Sequence, residues 1–177
     1  MDRETAAVEI GHALNMLAEL PSHAEDSGLP LVVRAACLES YFMNLRLAFE
    51  FIGGRRDRNQ ISRYDFLPDW KPASSEKLRA LGEQYGFASE QVAHLSKKRI
   101  IPQGSPITPH PIKMFMLTVL VFDLMREFAE ALGAAGSPYA QRFSSMVRDS
   151  ESRFNWPDKA YKPVGEELLA GRVMCFR

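Results

Sequence analysis

Apolar residues recur at steps of three and four along most of the chain, the period of an α-helix, and no stretch alternates convincingly as a strand does. The pattern predicts a first helix over residues 3–20, with Ile10, Ala13, Leu14, Leu17 and Leu20 on one face and Pro21 ending it. A polar connector from Ser22 to Gly28 follows. The next run, Leu31 to Ile52, has no Gly or Pro before Gly53-Gly54. As a helix it is roughly 33 Å long. It carries one apolar stripe (Leu31, Ala35, Leu38, Phe42, Leu45, Phe49, Ile52) and a second beside it (Val32, Ala36, Met43, Leu47). A helix apolar nearly all round is expected to be buried. Glu39, Arg46 and Glu50 lie along one line of that surface. Burial therefore predicts an acid–base–acid ladder neutralised by another segment.

Residues 53–72 predict a long connection in two parts. GGRRDRN is basic, with Arg55, Arg56 and Arg58 around Asp57, and YDFLPDW is aromatic. Aromatics this dense are expected to pack across the end of the helices. A third helix starts after Ser74 or Ser75. Its seam of Leu78, Leu81, Tyr85, Ala88, Val92 and Leu95 leads to Lys97-Lys98-Arg99, with a kink expected near Gly86. Residues 100–111 hold four prolines and read as an extended strap. A fourth helix over 111–132 is apolar on all sides in its first half and ends at Gly133. A short fifth helix runs from Tyr139 to about Asp149, with Phe143, Met146 and Val147 inward.

The fold expected from these elements is all-α. It is a single-domain, up-down four-helix bundle over residues 1–149 with a partly ordered tail over 150–177. The second and fourth helices, the most apolar, are expected to touch directly.

Composition adds limits. Lys+Arg and Asp+Glu both number 22, so no global field favours nucleic acid or a membrane surface. The two cysteines, Cys37 and Cys175, make neither a disulfide framework nor a zinc motif. The apolar run Met114–Phe122 is far short of the roughly 20 residues that span a bilayer. The N-terminus is charged from its second residue, unlike a signal peptide. A cytoplasmic protein without cofactor is the expectation.

Glu9-Ile10-Gly11-His12 has the Glu-x-x-His spacing of di-iron bundles, but no second such motif exists, and no metal site is expected. Four dispersed histidines do not improve on that. No Gly-x-Ser-x-Gly elbow or phosphate loop occurs, and Cys37 sits among apolar residues, where a thiol is inert. What remains is a polar set. Glu39, Arg46, Asp65, His94 and Arg99 could gather at one end of the bundle. His94 beside Arg99 has the chemistry to bind phosphate and move a proton near neutral pH. The alternative for His94 and Arg99 is a helix end whose cations complement the dipole.

The order LESYFMNLRLAFEFI, then a basic loop with YDFLPDW, then VAHLSKKR resembles a family of small bacterial helical proteins of unassigned function. That family is in turn distantly similar to the HEPN group of helical bundles. The resemblance covers about residues 31–99 and implies a bundle. It also implies an RNA- or nucleotide-binding role, or ribonuclease activity, with His94, Arg99 and Arg46 as candidate catalytic residues. Glu39, Asp65, Arg55, Arg56 and Arg58 are then candidates for binding, with Arg63 adding a fourth cation to the loop. The HEPN signature runs from Arg to His, whereas here His94 precedes Arg99. The other expectation, preferred on the residues themselves, is a protein-interaction or self-association module. It would pair with a second copy or a helical partner through aromatics such as Tyr64, Phe66, Trp70, Trp156 and Phe176.

Overall fold

The computed structural model describes residues 2–54, 61–88 and 111–154, all helix or short connection, with no strand among them. Among the described residues six helices follow in order: α1 (Arg3–Glu25), α2 (Leu31–Gly53), α3 (Arg63–Phe66), α4 (Ser75–Ala88), α5 (Pro111–Ala134) and α6 (Ala140–Arg153). The all-helical expectation therefore holds for the described residues.

α1 begins where the Asp2 carboxylate accepts the Thr5 N–H at 2.7 Å. That bond holds the Asp2 carboxyl below its ordinary pKa. Contrary to the expectation, α1 does not stop at Pro21 but runs through it to Glu25. A proline inside a helix leaves the carbonyl four residues earlier, here that of Leu17, without its N–H. Thr118 of α5 supplies the missing donor, its hydroxyl lying 3.0 Å from the Leu17 carbonyl oxygen. The Tyr41 hydroxyl of α2 donates to the Met114 carbonyl at 2.6 Å, and the Thr118 hydroxyl lies 3.0 Å from that same carbonyl oxygen. Tyr41 and Thr118 are fully buried, and this polar knot ties α1, α2 and α5 together. Burial pushes the Tyr41 phenol well above its usual pKa, opposed only in part by Thr118.

Two arginines finish helices that precede them. Arg34 donates from Nε to the Ala24 carbonyl at 2.9 Å, near the end of α1. Arg63 donates to the Ile52 carbonyl at 2.5 Å, near the end of α2, and to the Tyr64 hydroxyl at 2.7 Å. Its guanidinium also lies over the Tyr64 and Trp70 rings. Such bonds satisfy carbonyls that a helix end leaves open.

α5 is central, as expected. Met114 to Thr118 and Leu120 to Phe122 are buried without interruption. It does not end at Gly133, however, but at Ala134. The Ser137 N–H bonds the Leu132 carbonyl at 2.9 Å, the Gly136 N–H bonds the Gly133 carbonyl at 3.0 Å, and Gly136 sits at φ 66°. This is a Schellman turn, and the left-handed position is the one that favours glycine. α6 then folds back over α1 and α5, burying Phe143 and Val147. Its Ser150 hydroxyl donates to Asn15 of α1 at 2.8 Å.

Two carboxylates on the polar side of α5 face α4, while Arg126 and Glu130 are exposed. Lys77 of α4 pairs with Asp123 and, at 2.7 Å, with Glu127. Burial alone lowers the Lys77 pKa, and the two carboxylates more than offset that, leaving it above the ordinary lysine value. The expected contact between the two most apolar helices is present, through Tyr41 and Met114 and through Phe51 and Phe128, whose rings meet edge to face.

In the described part of the connection between α2 and α4 lies a short helix, α3, whose first turn is held by the Asp65 carboxylate accepting the Ser62 N–H at 2.8 Å. Phe66 meets Phe51, Tyr139 and Phe143 edge-on or nearly so, and Trp70 meets Phe128 at 5.1 Å between centroids. The aromatic stretch thus closes one end of the helices, as its composition predicts.

Candidate interaction face

The first apolar stripe of α2 is buried only from Phe42 on, with Leu31 and Ala35 exposed, and the second is exposed along its length. Tyr41, Phe42, Leu45, Ala48, Phe51 and Ile52 are buried against the other helices. Val32 is 74% exposed, Met43 50% and Leu47 38%, and Ala36 between them is exposed as well. Leu31, at 77%, extends the exposed apolar surface to the start of the helix. The expectation that α2 is buried nearly all round is therefore overturned. The reason is geometric. α1 covers one side of α2, with α4 and α5 taking smaller shares, and every fully buried residue of α2 lies at Tyr41 or later. Among the described residues, the first turns, 31–40, hold no buried side chain.

Beside this stripe lies an open apolar groove of about 390 Å³, lined by Leu20 of α1 and by Val32, Val33, Ala36, Cys37 and Ser40 of α2. Large apolar side chains lining an open groove on a long helix make a surface that another protein can cover, because burying them releases about 25 cal/mol per Å².

The ladder of Glu39, Arg46 and Glu50 runs along the same outer side. Arg46 bonds Glu50 at 2.9 Å, one helical turn apart, with side chains 36% and 32% exposed. Glu39 is exposed. These are surface charges at the flank of an apolar face, not a buried network. The expected polar pocket is not assembled by its described members. Asp65 belongs to the turn of α3 beside Ile52, and about 20 Å of helix separates Glu39 from Ile52. Asp65 is spent on capping α3.

Arg63 is also withdrawn from the expected phosphate-binding cluster, since it is buried and serves the end of α2. Tyr64, Phe66 and Trp70 are half-buried or buried and do not form an exposed anchor. Arg55, Arg56, Arg58, His94, Arg99, Trp156 and Phe176 lie outside the described residues. Glu9 and His12 are exposed on α1, and no group of three or more His, Cys, Asp or Glu among the described residues is placed to hold a metal ion. No helix among the described residues is long and apolar enough to cross a membrane.

What sequence reasoning missed was the exposure of the second stripe. The signal was present: a helix with two apolar stripes has one more than a single neighbour can bury.

Comparison with known proteins adds no relative, since no protein-family model, curated protein or solved structure matches this chain.

Proposed function

We infer that this protein is an interaction module, a helical scaffold that presents the outer face of α2 to another polypeptide. In this reading the four long helices form an up-down bundle whose purpose is to hold that face rigid. One observation carries it: the exposure of Val32, Ala36, Met43 and Leu47 along one face of a helix whose other face is buried from Tyr41 onward. Apolar patches on such a helix are a recurrent docking surface for helical partners.

The test is a photoreactive residue replacing Met43 in the full-length chain, activated in living cells. The expected product is an adduct heavier than the single chain. Adducts confined to peptides of the same chain, for example residues 89–110 or 155–177, would make the stripe an internal packing surface and end this reading. RNA or nucleotide binding, the other function suggested by the sequence, draws on Arg55, Arg56, Arg58, His94 and Arg99. No observation among the described residues favours it.

A further inference from the structure

The exposed stripe on α2 has a property beyond its apolarity: its spacing is the same in both directions. Val32 to Ala36 is four residues, Ala36 to Met43 seven, and Met43 to Leu47 four. Two copies of α2 laid antiparallel, with the two-fold axis between Glu39 and Ser40, therefore set Val32 opposite the other copy's Leu47 and Ala36 opposite its Met43. A two-fold interface uses one patch on both subunits, so the patch must complement itself. This one does so in shape as well as spacing. Its C-terminal half carries the large side chains, Met43 and Leu47, and its N-terminal half carries the small Ala36 and the groove lined by Val32, Val33, Ala36 and Ser40. Each copy supplies one knob and one hollow, and each knob meets a hollow.

We propose that the occupant of the α2 face is a second copy of this chain, docked antiparallel so that Met43 and Leu47 of each copy fill the groove beside Ala36 of the other. This rests on the reading of α2 as a docking face and names its partner. Seen down the helix, Leu47 lies on the same flank as the groove, the geometry a two-fold pair requires. Ser40 meets its own copy on that flank. Glu39 meets its copy on the other, at a solvent-facing rim where like charges cost little. The stripe is about 22 Å long. One helix pair of that length falls short of a standard interface of roughly 800 Å² per partner, so the dimer is expected near micromolar dissociation constants.

Sedimentation of the full chain across concentration should give a monomer–dimer equilibrium. Met43→Glu with Leu47→Glu should weaken it more than about tenfold while the far-ultraviolet dichroism is unchanged. Register is read by cysteine pairing in a Cys37→Ser, Cys175→Ser background. Ser40→Cys alone should link two chains on mild oxidation, and so should Ala36→Cys combined with Met43→Cys. Neither Ala36→Cys nor Met43→Cys should do so alone. Residues 36 and 43 lie about 10 Å apart on one helix and cannot bridge within a chain.

A monomer at all concentrations, or a dimer indifferent to the two glutamates, overturns the proposal. So does efficient linking by Ala36→Cys alone, which would mean parallel helices. The photo-adduct at Met43 separates the two levels. A heavier adduct with a different protein keeps the docking face and removes the second copy, whereas an intrachain adduct removes both.

Discussion

At Pro21 the backbone of α1 has no N–H to offer the Leu17 carbonyl, and the Thr118 hydroxyl fills the vacancy from a helix nearly a hundred positions away. The pair is therefore coupled. Thr118→Val should cost about 1–3 kcal/mol, the penalty for a buried carbonyl left unsatisfied. Adding Pro21→Ala should recover much of that, because an alanine N–H can reach Leu17 within the helix. Urea unfolding of the two single variants and the double variant gives the coupling energy directly. A double variant no more stable than Thr118→Val would mean that the carbonyl is not the source of the loss. No residue pattern announces this bond, since a threonine in an apolar run and a proline at a helix end each read locally as something else. Asp65 and Arg63 teach the same lesson. As residues they looked available for a ligand, and each is engaged by the backbone of a neighbouring turn.

The helices themselves were legible one by one. The spans of α2 and α5 and the start of α6 follow from apolar period and flanking Gly or Pro, whereas α6 runs on past its expected end near Asp149 to Arg153. α1 overran its expected end because a distant donor removed the reason to stop. α2 was correctly drawn and wrongly placed, for its period identifies two apolar stripes without saying which one has a neighbour. That error changes an energetic expectation. Were Arg46 buried between Glu39 and Glu50, Arg46→Leu would cost about 3–5 kcal/mol. On the surface observed, with side-chain exposures of 36% for Arg46 and 32% for Glu50, the expected loss is below about 1 kcal/mol. Chemical denaturation at low salt measures it. A loss near the larger figure would place the ladder in a more enclosed setting.

At the scale of the molecule, the buried Tyr41 phenol and the Lys77 ion pair, among the described residues, each lower stability in alkali. In the unfolded chain tyrosine releases its proton near pH 10. In the folded chain burial holds Tyr41 protonated well beyond that. Above about pH 10 the unfolded state thus binds fewer protons than the folded one, and stability falls as pH rises. Lys77, raised by Asp123 and Glu127, acts in the same sense. Its contribution is present below the unfolded lysine pKa of about 10.4 and is lost as pH climbs through the folded value. Thermal melts from pH 8 to 11.5 should show a falling limb from about pH 10. Tyr41→Phe, less stable at pH 8 for want of its bond to Met114, should close the gap on the parent as pH rises. A constant gap would mean that Tyr41 titrates normally.

The amino-acid sequence by itself determined an all-helical chain, the location of most of its helices and the aromatic closure at one end. Those depend on hydrogen bonds a turn apart and on the simple tendency of aromatic side chains to leave water. Only the tertiary structure decided which side of α2 is covered, that α1 survives its proline, and that Asp123 and Glu127 of α5 hold Lys77. An apolar side chain obeys the same physics in a core and in a docking surface, so its period reveals a face and never what lies against it.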